Sequence, residues 1–367
     1  MKDLIIVGGG PGGSTLAWRL ARAGRRVLVL DAASFPRVKL CAGWVTPTVW
    51  RALEIDPSEY PRTLQPFSEA TLELDGNCHK TRWARTASYG IIRREFDDFL
   101  LQRARDAGAE VREGSRVQNV EREGQGFCLT TAAGERLHTA MVVGAGGHNC
   151  PIARSLGEVS EEEAVIVTRE SETRLGSDQL RSLTKRHGTP ELFAESDFRG
   201  YGWYFTKGEF LNVGIGCLGS GRDLHRRFEA LVTKLRTDGR LPADLELEKF
   251  RGHAYAIHIR KPRRVAGDGF LLIGDAAGLA RGISGEGIGP AVESANLAAE
   301  ILLSPESDVA HAYSEQLAAR FGDGEAGTLE KLAEALPEWI TEAAARTVCR
   351  TPWLRRKLIF EGAFGMG

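Results

Sequence analysis

Residues 3–31 leave few folds open to this chain. A short apolar run at 3–7 (DLIIV) passes straight into Gly8-Gly9-Gly10-Pro11-Gly12-Gly13, then into a helical pattern at 14–24. A second apolar run at 27–30 (VLVL) closes on Asp31. The pattern is strand, glycine turn, helix, strand and acid, with G-x-G-x-x-G at Gly8, Gly10 and Gly13. Each part has a physical task. Gly8 permits the tight turn out of the strand. Gly10 lets a pyrophosphate approach the backbone, and Gly13 lets the helix pack close to the strand. The first helical turn, which holds Pro11, Gly12 and Ser14, offers unpaired N–H groups beyond the proline, which has none, and the positive end of the helix dipole to phosphates. Asp31 is placed to accept hydrogen bonds from a ribose. A bare glycine pattern also describes a flexible turn, but all five parts in register predict a dinucleotide site.

Composition narrows the class further. A length of 367 residues suffices for two domains or one large composite one. A net charge of −1 creates no global field toward nucleic acid or an anionic membrane. No apolar stretch approaches the ~20 residues of a membrane span. The first strand starts at once, which leaves no room for a signal peptide and predicts a cytoplasmic protein. The six cysteines lack C-x-x-C spacing and the eight histidines lack H-E-x-x-H, so reduced thiols and no metal site are expected.

Along the chain, Phe96, Phe99, Leu100 and Ala104 recur at helical spacing within 93–107. Strands are expected at 70–74, 110–112 and 117–122, a hairpin at 127–140, and a buried strand at 141–143 before Gly144-Ala145-Gly146-Gly147. From about 164 the texture changes. Alternating, aromatic-rich segments at 164–172, 191–194, 202–206 and 211–218 predict an antiparallel sheet inserted in the nucleotide-binding domain. A helix is expected at 222–235. Residues 269–273 (GFLLI) then return to a buried parallel strand. After it come Gly274-Asp275-Ala276-Ala277-Gly278, a glycine-rich run, and a long helix over 290–303. Asp275 can accept from sugar-type hydroxyls. The backbone N–H groups of Gly287 and Ile288 can stabilise negative charge on a ligand.

Together these segments resemble the FAD-binding flavoproteins of the para-hydroxybenzoate hydroxylase fold, and within them the geranylgeranyl reductase family. The motifs are Gly8–Gly13, Arg93-x-x-Phe96-Asp97, Gly274-Asp275-Ala276-Ala277-Gly278 and Gly285-Glu286-Gly287-Ile288. Lys39-x-Cys41-Ala42-Gly43 resembles the K-x-C-G-G-type loop of the reductases, and Tyr201-x-Trp203-x-Phe205 their Y-x-W-x-F-P strand. The resemblance implies an α/β fold: a Rossmann-like FAD-binding domain in two parts (1–160 and 253–303), an inserted antiparallel-sheet substrate domain (161–252) and C-terminal helices (304–367). It implies that FAD is held by the glycines and Asp31 at the ADP half, and by Arg93 near the pyrophosphate or ribityl chain. Val117 would offer backbone contacts to adenine, and Asp275 would take a ribityl hydroxyl. Gly285, Gly287 and Ile288 would lie at the pyrimidine edge, and Lys39, Cys41, Ala42 and Gly43 beside the ring. Gly146 belongs to a turn resembling the G-A-D-G motif of aromatic hydroxylases, but its Asp is missing, which argues against an efficient nicotinamide route.

The expected reaction is FAD-dependent reduction of a carbon–carbon double bond in an apolar, isoprenoid-like or lipid substrate, with Cys41, Tyr201 and Trp203 at the reacting centre. The electron donor is either a nicotinamide or a donor protein, and peripheral membrane contact fits a lipid substrate. A flavin monooxygenase or halogenase is the alternative; the W-x-W-x-I-P strand of halogenases is not found. A non-catalytic flavin- or prenyl-binding protein is a third reading, against which the complete FAD constellation argues. Other readings are plainer. Cys41 could be a small buried hydrophobe, and Tyr201 and Trp203 could be sheet core. Thr206, in place of Pro, could alter the cavity wall. His253 and His258 read as ordinary histidines, the basic run 260–264 as a solvated loop, and the acidic run 161–163 as a solvated helix start.

Overall fold

The computed structural model describes residues 3–160, 163–183, 188–219, 221–257, 263–306, 308–322 and 337–367. Its first layer is a six-stranded sheet in the order Ala266–Gly267, Phe270–Leu272, Val142–Gly144, Leu4–Val7, Val27–Leu30, Glu110–Arg112. All neighbours run parallel except Ala266–Gly267. Ile6 sits in register between Val143 and Val29. The Leu4–Val7 strand is therefore covered on both faces, which is why its sequence is unbroken apolar rather than alternating. The helices Pro11–Arg22, Arg93–Asp106 and Ile288–Leu303 pack together beside this sheet. The 127–140 hairpin is present as Gly126–Thr131 and Arg136–Thr139, joined to Val117–Glu123 in a small separate sheet.

The second large sheet has seven strands, ordered Arg251–Ala256, Val165–Arg174, Phe210–Leu218, Gly200–Lys207, Glu191–Ala194, Glu69–Leu74, Asn77–Arg82. It is not confined to 161–252: the hairpin of Glu69–Leu74 and Asn77–Arg82 joins one edge, and Glu69–Leu74 pairs parallel with Glu191–Ala194. Such long-range pairing leaves no mark in local periodicity.

The two faces of this sheet have different work. Tyr204, Leu211, Val213 and Ile215 point to one side and pack on Phe228, Leu231 and Leu235 of the helix Leu224–Thr237. Tyr201, Trp203, Thr168 and Glu170 point to the other side, toward the nucleotide-binding layer, and line a cavity. Thr206 lies on the helix side, accepts the Gly188 N–H at 2.8 Å and is not part of the cavity wall.

One described residue in each of two charge runs differs from its sequence reading, while Arg264 is exposed as expected. Arg263 is 5% exposed, pairs with Glu163 at 2.6 Å and donates to the Ala276 carbonyl at 2.9 Å, so it braces the turn that carries Asp275. Glu163 is thus the partner of a buried cation rather than a solvated helix start. Residues 161, 162, 258 and 260–262 lie outside the described residues. The tail is helical at Val309–Phe321 and Glu338–Arg350, then winds into a π-helix over Arg355–Ala363. Arg355, in this tail, is buried and donates to Cys349 O at 2.7 Å and Thr81 Oγ1 at 3.2 Å. It pins the tail to the seven-stranded sheet.

Candidate active site

A cavity of about 410 Å³ lies between the two large sheets. Its nucleotide end is built by the first turn of the chain. Gly8 has φ +115°, a conformation open to glycine, and a Cβ there would strike the Ala145 carbonyl. A Cβ on Gly13 would strike the Gly8 carbonyl. Both positions hold the helix against the strand end. The Asp31 carboxylate accepts the Gly9 N–H at 2.7 Å and the Ala33 N–H at 2.8 Å, which fixes it at the cavity edge. No side chain caps the Pro11–Arg22 helix, so its first N–H groups remain available to an anion.

Arg37 is a cation that the sequence reading did not assign. Its Nη2 lies 3.5 Å from the place a Gly10 Cβ would occupy and 3.0 Å from Asp97. Its Nη1 is buried without a partner among the described residues. A buried guanidinium N–H left open beside the glycine turn is what a pyrophosphate would satisfy. Arg93 lines the cavity too, but its guanidinium is forked onto Asp97 at 2.7 and 2.8 Å. Val117 is buried and off the cavity wall, where its neighbour Arg116 stands instead. Gly13, Ser14 and Gly43 are also buried behind the wall; Gly8, Gly10, Pro11, Gly12, Asp31, Lys39, Cys41, Ala42 and Gly146 form part of it.

The other end is built by the second glycine turn. Asp275 follows the Phe270–Leu272 strand, and Gly287 is the N-cap of the Ile288–Leu303 helix. A Cβ on Gly287 would stand 2.9 Å from Asp275 Oδ1, so acid and helix start are in contact. Asp275, Gly285, Gly287 and Ile288 all face the cavity. Tyr201 ties this turn to the seven-stranded sheet, its hydroxyl donating to Ser284 O at 2.5 Å.

The Lys39–Gly43 loop enters from a third direction. Lys39 Nζ lies 3.0 Å from His253 Nε2. Burial, helped by Lys39, brings the His253 imidazole down to about 4, so it is neutral and accepts from the lysine. The loop is anchored by Lys207, a fully buried lysine that donates to Ala42 O at 2.8 Å and pairs with Glu172 at 2.5 Å. Glu172 and Asn212 continue this polar chain to the Trp203 indole, whose Nε1 donates to Asn212 Oδ1 at 2.6 Å. Cys41 Sγ accepts the Gly43 N–H at 3.3 Å.

Beyond the loop the cavity becomes an aromatic chamber. Trp44, Tyr201, Trp203 and Phe364 line it with Leu192. Trp44 and Phe364 stand 5.5 Å apart, as do Tyr201 and Phe364. Phe364 comes from the pinned tail, and nothing in the local sequence near residue 364 signals this role. Trp203 and Tyr201 therefore face a cavity rather than a closed core. The residue opposite Trp203 is Gly214, and its missing side chain makes room for the Trp203 indole to lie across the neighbouring strand.

A glycine turn on a helix start, a ribose-side acid, and a second acid-and-helix turn facing the same cavity define a dinucleotide-binding flavoprotein. The chain belongs to the FAD binding domain family, which matches residues 1–313. Its cofactor is FAD and it is an FAD-dependent oxidoreductase, with geranylgeranyl reductases among its relatives. It is 31% identical over 343 residues to the menaquinone reductase of Mycobacterium tuberculosis, a match covering 88% of this chain and 81% of that one. It is 28% identical over 364 residues to digeranylgeranylglycerophospholipid reductase 1 of Methanopyrus kandleri, covering 92% and 91%. Its fold is similar to that of a geranylgeranyl bacteriochlorophyll reductase-like protein of Thermoplasma acidophilum, with a TM-score of 0.74, 20% identity, and coverage of 93% and 86%. Structures of a probable FAD-dependent monooxygenase and a flavin-dependent halogenase share the fold. Among the described residues no helix is long and apolar enough to cross a membrane.

Proposed function

We propose that this enzyme reduces a carbon–carbon double bond in an apolar, isoprenoid-like substrate. The observation that carries this reading is the aromatic chamber of Trp44, Tyr201, Trp203 and Phe364 at the Cys41 end of the cavity. A long alkene gains roughly 25 cal/mol for each Å² of surface it buries there. Relatives named as menaquinone and digeranylgeranylglycerophospholipid reductases lend support, since both names describe reductases of substrates with long isoprenoid chains.

FAD, once reduced, supplies hydride. The protein's part is orientation and exclusion of water. Lys207 holds the Cys41 loop through Ala42 O, and the Glu172–Asn212 link holds the Trp203 indole. Tyr201 and Phe364 cover the chamber from the sheet and from the tail. Cys41 stands where loop and chamber meet, in reach of a bound alkene. The turn of Gly144, Ala145, Gly146 and Gly147 carries no carboxylate, which supports a donor other than a nicotinamide.

The test is anaerobic. The reduced holoenzyme is mixed with geranylgeraniol, and flavin oxidation and product are followed together. Oxidation coupled to a saturated product is expected. Trp203→Ala should slow it while FAD stays bound, and Cys41→Ser should slow it only if the thiol acts chemically. Reoxidation that requires oxygen and yields a hydroxylated or halogenated product would replace this reading with a monooxygenase or halogenase.

A further inference from the structure

Adding hydride to an alkene completes only one of the two new C–H bonds. The second needs a proton, so a group in the chamber must give one up. Proton-bearing side chains that line the cavity include Cys41, Glu170, Tyr201 and Tyr255. Tyr201 already spends its hydroxyl proton on Ser284 O. Burial pushes both phenols well up, which makes them poor acids.

Glu170 is placed differently. It is 3% exposed and enters from the centre of the strand Val165–Arg174. It stands in register with Gly214, which stands in register with Trp203. A Cβ on Gly214 would lie 2.9 Å from Glu170 Cβ and would strike the Trp203 indole. The missing side chain therefore lets the Trp203 indole reach the base of the Glu170 side chain across one strand. From the other side the Cys41 backbone approaches the carboxyl and favours its charged form. Glu170 thus joins the two features, loop and aromatic strand, that mark the reacting end of the cavity.

We infer that Glu170 is the acid that protonates the alkene during reduction, delivering its proton beside Trp203 and the Cys41 loop. This rests on the alkene-reductase reading above. The π bond breaks and takes up hydride from reduced FAD at one carbon. The Glu170 O–H breaks and forms the C–H bond at the other, leaving a carboxylate that regains its proton from water when product leaves.

The surroundings suit the role. Burial raises the Glu170 carboxyl to about 7, the range in which a general acid works best. Glu172, on the same strand, pushes in the same direction, while Lys207 on the aromatic strand and Arg93 on its helix push the other way. Lys207 is already committed to Glu172 and Ala42 O, and Arg93 to Asp97. Of the groups on the adjoining strand Arg251–Ala256, Arg251 is exposed and His253 is neutral. Lys39 is held toward His253.

The experiment compares wild type with Glu170→Gln, which keeps the size and the acceptor oxygen of the side chain and has no acidic proton. Reduced holoenzyme is mixed anaerobically with geranylgeraniol across about pH 5 to 9. Wild-type flavin oxidation should slow as pH rises through about 7. Glu170→Gln should be at least about 100-fold slower and flat with pH, with unchanged FAD content and unchanged KM. Infrared spectroscopy of the resting protein gives a readout apart from turnover: a protonated carboxyl band that titrates near 7 and is missing in the variant. If the variant does not retain FAD, Glu170→Asp takes its place and should keep a pH-dependent, reduced rate. A variant as fast as wild type with the same pH profile overturns the inference, as does absence of the titrating band. Wild-type flavin that no alkene oxidises overturns the reductase reading itself, and the inference with it.

Discussion

The buried Glu170 carboxyl makes the stability of this protein depend on pH in a direction opposite to that of most carboxylates. Burial moves it from its ordinary 4.5 to about 7 in the fold. Below 4.5 both folded and unfolded chains carry the proton, and Glu170 contributes no pH dependence. Between 4.5 and about 7 the unfolded chain ionises while the fold keeps its proton, so stability falls as pH rises. Above about 7 the loss is complete. A displacement of this size is worth about 3 kcal/mol. In a chain of this length it corresponds to about 4 °C in Tm. Other groups titrate over the same window, so the measurement is a difference. Thermal melts of wild type and Glu170→Gln, with saturating FAD, are compared at pH values on either side of the window. Wild type should lose those degrees relative to the variant on going from the acid to the alkaline side, whatever the variant's absolute Tm. Parallel curves for the two proteins would refute the reasoning, because they would mean that Glu170 titrates alike in the folded and unfolded chains.

Asp275→Ala should weaken FAD retention by roughly 1.5–3 kcal/mol, the worth of a buried charge-assisted hydrogen bond; equilibrium dialysis of the yellow protein measures it, and a colourless wild type that cannot be reconstituted with FAD would sink the cofactor assignment. Arg37→Ala should loosen FAD at the phosphate end, where its Nη1 has no partner among the described residues, and it also removes the ion pair to Asp97, so FAD affinity is compared in protein whose thermal melt shows an intact fold; unaltered FAD affinity would show that the open N–H serves no phosphate. NADPH and NADH should reduce the flavin slowly by comparison with a reduced ferredoxin-like donor, and rapid saturable reduction by either nicotinamide in stopped flow would overturn that expectation.

The nucleotide half of this site could be read from the chain because its parts are local. Gly8, Gly10, Gly13 and Asp31 lie within 24 consecutive residues, and each answers to a backbone constraint that any such turn imposes. Asp275 and Gly287 were legible for the same reason. The family motifs at Cys41 and at Tyr201–Phe205 pointed to a shared cavity without saying what joined them. Thr168, Glu170 and Glu172 stand in an unbroken polar run, TRESETR at 168–174, which shows no period that would single out one face. The fold covers the face of Thr168 and Glu170 with the nucleotide-binding layer, so polar residues here mark a ligand side rather than a wet side. Lys207 meets the Ala42 carbonyl across a sequence separation of 165 residues, and Phe364 reaches the chamber from the far end of the chain. Glycine spacing and strand hydrophobicity are set by each segment's own backbone, and so they survive in sequence. Which carboxyl is dry, which lysine is anchored and which aromatic ring closes the chamber are set by strand register and by the packing of distant segments, and those exist only once the chain has folded.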